Sequence, residues 1–548
     1  MFVFKPATNN LITLFSYNNP MKLLLISLQS NAYVTGLKYV AANAGTGGHD
    51  VRILFLPGHL EARLNPEIEN FIRDYKPDLI GISLMSIEFY PAKNLTRLLK
   101  ERFDTPVVWG GVHAIIKPEE CVKYVDYVCT GEGERVIVSL LQHLGTSGKN
   151  VPPEIPGIWA NHDGGVIKQP VAPPEDNLDS LPFQEYLPDY FYGLHNGSIY
   201  NFSGRHQGLF RRYALYGGTC HMMITTRGCP FHCSYCGNSV LMSVYGKKVR
   251  ERSVKNVMDE ILEVIKNPHI LYINFQDDCF FTHSEEWVAE FCSRYKRLVN
   301  LPFIARVIPT MMSRKKIFML RDAGLCWIVM GIQSGSDRVN FEIYRRNIRF
   351  SSVKKAADII AGTGAAAFYE MIVDNPYETE EERMETVEAV SSLKKPYIVS
   401  LAHLTFFPGT PLAEKALKDG IASSDAYLFR YLLNINETYT NRLLAVTPCT
   451  PRFLVRYLNK PETLRTRPRV LLLTILHFTV KRFIEPAFFM VITVKALNYR
   501  VDRIVRTVLG NWRSTLARLV SKYLGGSDLE FDRRLASAKE NMPELFEK

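Results

Sequence analysis

Nothing in the 548-residue sequence is apolar for long enough to cross a bilayer as a helix, which takes roughly 20 residues. The first twenty residues lack the compact basic-then-apolar order of a secretory signal. They read as an extension, with the natural start at Met21. Cysteine is sparse, at 10 in the chain. Three lie in one loop, and Cys121, Cys129, Cys220, Cys279, Cys292, Cys326 and Cys449 are scattered. A disulfide-built scaffold is thereby excluded, and a reducing cytoplasm is the expected compartment. Acidic residues are scarce in one region only. Asn441–Gly525 holds 16 Lys/Arg against Glu462, Glu485 and Asp502. That balance of +13, within a chain at +11, leaves the rest near −2.

What is present is ordinary globular material, 47% hydrophobic and 22% charged. The length predicts about two to four domains. From Met21, apolar runs at Lys22–Ser27, Val51–Phe55, Leu79–Leu84, Pro106–Trp109 and Tyr127–Cys129 alternate with helical periodicity, as at Pro66–Tyr75 and Tyr90–Phe103. That alternation predicts an α/β fold with a doubly wound, flavodoxin-like parallel sheet over 21–150. Ligands of such sheets sit at the strand carboxyl ends. Small residues fall there: Ser83, Ser86, Gly110-Gly111-Val112 and Gly131-Glu132-Gly133. Residues 151–214 are rich in Pro, Gly and Asp and read as a linker with strands near Gly157–Asn161 and Val166–Gln169. From 215 to 420, six strand–helix units recur, at His221–Thr226, Ile270–Phe275, Phe303–Val307, Cys326–Ile332, Phe368–Val373 and Val399–Phe406. Polar residues cluster at their carboxyl ends.

The densest chemistry is Cys229, Cys233 and Cys236, spaced C-x3-C-x2-C. Thiolates are soft ligands for zinc or iron–sulfur clusters. A structural zinc site closes with four protein ligands. Here three cysteines leave one position open unless His232 fills it, and no second ligand pair follows.

This loop resembles that of the radical S-adenosylmethionine (SAM) enzymes, whose motif is C-x3-C-x-aromatic-C, with Tyr235 in the aromatic place. The resemblance implies a partial (β/α)6 barrel. It implies a 4Fe-4S cluster on Cys229, Cys233 and Cys236, with SAM on the fourth iron and a radical formed by one-electron cleavage. Tyr235 and Gly237 would border the cofactor. Asp277 and Asp278 would receive the SAM amino group, or else cap a helix. Gly331-Ile332-Gln333-Ser334-Gly335-Ser336 is similar to the family's Gly-Ile-Glu-Ser-Gly-Ser strand end, with Gln333 in place of Glu. Gln333, Ser334, Arg306 and Arg345 would complete the seat. Arg346 is the alternative to Arg345, and a solvated helix face is the alternative for both.

The N-terminal half resembles the cobalamin-binding domain that precedes many of these enzymes, through Ile82–Ser86, Trp109-Gly110-Gly111 and Gly131-Glu132-Gly133-Glu134. Ser83, Ser86, Gly110, Gly111, Val112, Gly131, Glu132 and Gly133 would contact cobalamin. The Asp-x-His-x-x-Gly motif is missing, since Gln29–Gly47 contains no histidine. Cobalamin without that lower axial ligand is implied. A flavodoxin-like domain with another ligand, or none, is the alternative.

Together the resemblances imply a cobalamin-dependent radical SAM methyltransferase acting on an unactivated carbon or phosphorus centre, supplied with electrons by a flavodoxin or ferredoxin. A ring-forming enzyme of the same build and a membrane-tethered, non-catalytic sensor are the rivals. A methylthiotransferase would need three cysteines in the first domain, which has only Cys121 and Cys129. Residues 421–548 are expected to be helical and basic. Their apolar runs, Val470–Val480 and Ala487–Val494, precede an amphipathic stripe of Val501, Ile504, Val505, Val508, Trp512, Leu516, Leu519 and Tyr523. That pattern suits peripheral membrane contact through 469–525 and a small, lipid-like substrate, or a helical cover over the barrel. Nucleic acid is disfavoured, because aliphatic residues rather than stacking aromatics interleave the basic ones.

Overall fold

The computed structural model describes residues 20–423, 435–497, 534 and 537–546. The stripe from Val501 to Tyr523, and nearly all of the expected 1–20 extension, lie outside the described residues.

The first sheet has nine strands. β1 (Lys22–Ser27), β2 (Asp50–Phe55), β3 (Leu79–Ser83), β4 (Val107–Gly110) and β5 (Tyr127–Cys129) are parallel, in the order β5-β4-β3-β1-β2. β1 is central and almost fully buried, as its uninterrupted Leu-Leu-Leu-Ile run requires. The order reverses between β1 and β3, which opens a crevice at their carboxyl ends. Local signals set the helices. Asn65 accepts from the Glu67 amide, Pro66 starts the helix, and Arg73 stands in its last turn.

The residues expected as a linker extend this sheet at both edges. β6 (Ile158–His162) and β7 (Gly165–Lys168) add antiparallel to β5. β8 (Phe191–His195) adds parallel to β2, and β9 (Ser198–Asn201) pairs back on β8.

The second sheet is wholly parallel, β10 (Cys220–Met223), then β13 (Tyr272–Phe275), β14 (Phe303–Val307), β15 (Leu325–Gln333), β16 (Ala366–Val373) and β17 (Tyr397–His403), in sequence order. A short antiparallel ribbon, β11 (Thr226–Arg227) with β12 (Arg250–Glu251), stands beside it. Sequential parallel strands joined by helices give the partial barrel. One apolar core runs from the first sheet into the second, and the Tyr33 hydroxyl donates to the Cys220 carbonyl at 2.7 Å across the junction.

The described part of the C-terminal region, 435–497, is helical. Arg467–Thr479 continues through a π-turn at Val480–Ile484 into Glu485–Ala496. The π-turn lets the helix continue past Pro486, which lacks an N–H. Phe489 stacks on Trp327 of β15 with centroids 5.2 Å apart. Ile492 and Ala496 pack with Trp327, Ala366 and Ile398. Among the described residues, no helix is long and apolar enough to cross a membrane.

Candidate active site between the two sheets

The loop that carries the three cysteines is fixed from several sides. At its entry, one oxygen of Asp277, just beyond β13, accepts the amides and hydroxyls of both Thr225 and Thr226. Gly228 has φ +101°, and a Cβ there would lie 2.9 Å from the Lys248 carbonyl, so the turn needs glycine. In the middle, the Ser234 amide donates to Tyr344 O at 2.8 Å, and Leu412 N donates to Ser234 O at 2.9 Å. The Pro408–Leu412 turn therefore braces the loop through its backbone. Tyr235 meets the Tyr344 ring edge-on at 5.0 Å.

Burial pushes the Cys229 thiol up to about 12 and the Cys236 thiol up to about 11, with each thiol raised further by its neighbours' charge. Burial also raises Cys233, against which the Arg346 guanidinium and the Tyr235 hydroxyl both bond. The thiols sense one another. Among the described residues, however, no three His, Cys, Asp or Glu side chains gather tightly enough to hold one metal ion. His232 is exposed. Three thiols carried on one loop, with His232 exposed, suit an iron–sulfur cluster with a free position rather than a closed zinc site.

The strand ends divide the expected SAM-binding residues. Asp278 lines the space in front of the loop, beside Asn238, and stays open to solvent on one side, while partial desolvation there raises its carboxyl pKa. Asp277 does not face it. The residue is 1% exposed and holds the threonines, a structural role that a strand-end aspartate shares with an N-cap. Gln333 ends β15 in the left-handed region at φ +70°, and a Cβ on Gly331 would collide with its amide. Ser334 is 1% exposed and donates to Glu378 at 3.0 Å, on the far side of the strand end. Arg345 is exposed at φ +47°. The next residue, Arg346, is buried and donates to the Ile332 and Gly331 carbonyls at 2.8 and 2.6 Å. Arg346, not Arg345, therefore adjoins the cysteine loop. Arg306 pairs with Glu370 at 3.2 Å on the inner barrel face, and sequence alone did not single out Glu370.

Between the sheets lies a cavity of about 410 Å3, lined from both domains. The first domain contributes Ser83, Gly110, Gly111, Val112, Gly131, Glu132 and Gly133. A Cβ on Gly111, at φ +92°, would lie 2.7 Å from Leu84 O, so the turn into the crevice requires glycine. Ser86 is not in the lining. Its hydroxyl lies buried against His113 Nδ1 at 3.0 Å. Glu132 lines the cavity but is committed to the second domain. It pairs with Arg250 at 2.6 Å and with Arg227 at 3.1 Å, and Glu134 takes Arg227 as well. Burial alone would raise the Glu132 carboxyl, but the two guanidiniums hold it below the usual range.

The opposite wall holds Cys229, Asp278 and Gln276. A floor of glycines that admits a flat ring close to the backbone faces a thiol loop and an acidic group. These residues fit a corrin on one side and a cluster with SAM on the other.

Comparison with known proteins gives the same division. Residues 21–141 match the B12 binding domain family, and residues 223–390 match the radical SAM superfamily. An uncharacterized methyltransferase of Pyrococcus horikoshii is 27% identical over 397 residues, covering 70% of this chain and 79% of its own. Cytidylyl-2-hydroxyethylphosphonate methyltransferase of Streptomyces wedmorensis is 27% identical, over 62% and 69% of the two chains. An anaerobic magnesium-protoporphyrin IX monomethyl ester cyclase of Rubrivivax gelatinosus is 23% identical, over 69% and 64%. In fold, the chain is similar to the methyltransferase TsrM of Kitasatospora setae, solved with cobalamin and a [4Fe-4S] cluster. The TM-score is 0.59 at 18% identity, over 73% of this chain and 78% of that one. It is also similar to the cobalamin-dependent enzyme OxsB, solved with aqua-cobalamin and SAM. There the TM-score is 0.60 at 14% identity, over 96% and 85%.

Proposed function

We propose, from the premise that the chain belongs to the cobalamin-dependent radical SAM enzymes, that it methylates an unactivated carbon or phosphorus centre of a small, lipid-like substrate. The observation that carries this reading is the shared cavity, with Cys229 of the cysteine loop and Asp278 on one wall and the glycine floor on the other. When bound, the cluster with SAM supplies a hydrogen-abstracting radical, and cobalamin supplies the methyl group.

The chain's own residues do the holding. Cys229, Cys233 and Cys236 ligate the cluster. Asp278 is the carboxylate placed to receive the SAM amino group. A cation there offsets the partial desolvation that otherwise disfavours its charge. Arg346 holds the strand end of Gly331–Gln333 against the cysteine loop. Gln333 offers an uncharged amide to a ribose hydroxyl or a carboxylate. Ser83, Gly110, Gly111, Gly131 and Gly133 let the corrin and its nucleotide tail approach the backbone.

The lipid-like character rests on the C-terminal helix. Leu471, Ile475 and Phe478 share one face and are 61%, 55% and 61% exposed, followed by Phe483 at 62% and Val491 at 64%. Arg467 and Arg482 are exposed beside them. An apolar stripe flanked by arginines matches an anionic leaflet, where each basic residue adds about 1 kcal/mol. The helix then holds the enzyme at the surface that carries its substrate.

Product mass tests the reaction class. Methyl transfer adds one CH2 unit to the product and consumes extra SAM, whereas ring formation adds no carbon. The cyclase relatives make this the decisive alternative. Turnover of SAM without any change in substrate carbon count would defeat the methyltransferase reading.

A further inference from the structure

We propose that Glu132 and Glu134 are positioning residues that set the cysteine loop against the corrin wall of the cavity, acting through Arg227 and Arg250. This goes beyond the reaction proposed above. It rests on the two cofactors and not on the substrate.

The geometry is that of a clamp. Arg227 and Arg250 are partners across the β11–β12 ribbon. Arg227 stands two residues before Cys229. Glu132 spans both guanidiniums, with two bonds to Arg250 at 2.6 and 3.0 Å and one contact to Arg227 at 3.1 Å. Glu134, in the first turn of the helix Gly133–Ser147 that Glu132 caps, holds Arg227 as well. Paired, two-point contacts of this kind fix orientation as well as separation.

The clamp is buried where it matters. The Arg250 side chain is 5% exposed and that of Glu134 9%. All four side chains line the cavity. Arg250 also donates to the Glu175 carbonyl, and the Glu175 amide donates to Glu132. The carboxylates are thus taken up by the second domain rather than open to a ligand. Gly228, wedged against Lys248 O, links Arg227 to Cys229 without slack. A shift of the glutamates therefore moves the loop. A second ion pair nearby, Lys248 just before the ribbon with Asp176 in the loop beyond Gly165–Lys168, has side chains 69% and 71% exposed. Such a pair contributes little.

Chemistry that passes a group between two bound cofactors needs a fixed separation, and a misplacement of about 1 Å can cost on the order of 100-fold in rate. The experiment measures the separation itself. Holoenzyme reduced so that Co(II) and the cluster are both paramagnetic is examined by pulsed EPR for their dipolar coupling. Glu132→Gln and Glu134→Gln are expected to broaden or shift the coupling, and Asp176→Asn to leave it as in the wild type. A purely stabilising role lowers the melting temperature and leaves the coupling unchanged, which would overturn the proposal. Glu134→Gln keeps Glu132 on both arginines, so it remains decisive if Glu132→Gln does not fold. An unchanged coupling in it, with full iron and cobalamin content, refutes the clamp.

Discussion

Asp277 Oδ1 takes both the amide and the hydroxyl of Thr225, at 2.9 and 2.8 Å. The same oxygen takes the amide and hydroxyl of Thr226, so one buried carboxylate anchors the entry to the cysteine loop.

Asp277→Ala would strand the Thr225 and Thr226 amides and the Thr226 hydroxyl in a site closed to water, while the Thr225 hydroxyl keeps His283 Nε2 at 2.7 Å. Each unsatisfied group costs roughly 1–3 kcal/mol. The variant is expected to melt well below the wild type and to take up less iron on reconstitution. Asp277→Asn keeps an acceptor at the same place and should lose less. Iron content and melting temperature, measured together, check this.

Neighbouring arginines should behave oppositely. Arg346→Ala takes the guanidinium donors from the Ile332 and Gly331 carbonyls, leaving Ile332 O only the Ser334 amide, and removes the cation beside Cys233. Lower cluster content and a loss of roughly 2 kcal/mol or more are expected. Arg345→Ala, at an exposed position, should stay within about 0.5 kcal/mol. Denaturant titration of the two variants separates them.

Glu378 carries a pH signature. Burial pushes its carboxyl up to about 7 from 4.5. A carboxyl with a raised folded pKa binds more protons folded than unfolded, so stability falls as pH rises between those two values. The fall levels off above about 7. Across that window the effect reaches at most about 3 kcal/mol. Glu378→Gln, still able to bond Ser334, should flatten this slope in the metal-free protein. A slope identical to the wild type would remove Glu378 as its source.

The exposed helix face gives a membrane prediction. Leu471→Glu combined with Phe478→Glu should reduce sedimentation with vesicles containing anionic lipid by at least about 10-fold, from lost apolar burial and added repulsion. Raising salt should weaken wild-type binding. Equal binding by the double variant would show that this face is not the contact.

Much of the architecture could be read from the chain. Strands such as Lys22–Ser27 and Phe303–Val307 declare themselves as short apolar runs between turn residues, and the structure reproduces their bounds. The hairpin of β8 and β9 carries its own sequence signal within the stretch read as a linker. Asn196-Gly197, both at positive φ, is the two-residue turn that hairpins favour. The site was legible as a set of strand ends, but not in the direction of each side chain. Ser334 turns to Glu378, 44 residues on, and Ser86 turns to His113. Glu132 meets Arg250 across 118 residues. Such partners are chosen by packing between residues far apart in the chain, which no local pattern encodes. Arg345 and Arg346 look alike in sequence. A left-handed residue at Arg345 decides which of them is buried.

The central claim is that three cysteines hold a cluster with an open position at which SAM is cleaved. The most direct measurement is anaerobic reconstitution with iron, sulfide and cobalamin, followed by assay of SAM cleavage under a low-potential reductant. Wild-type protein should yield 5′-deoxyadenosine, and Cys233→Ala should yield none and lose the cluster absorption. Cleavage retained by Cys233→Ala, or a fully protein-ligated zinc ion in the purified protein, would contradict the account.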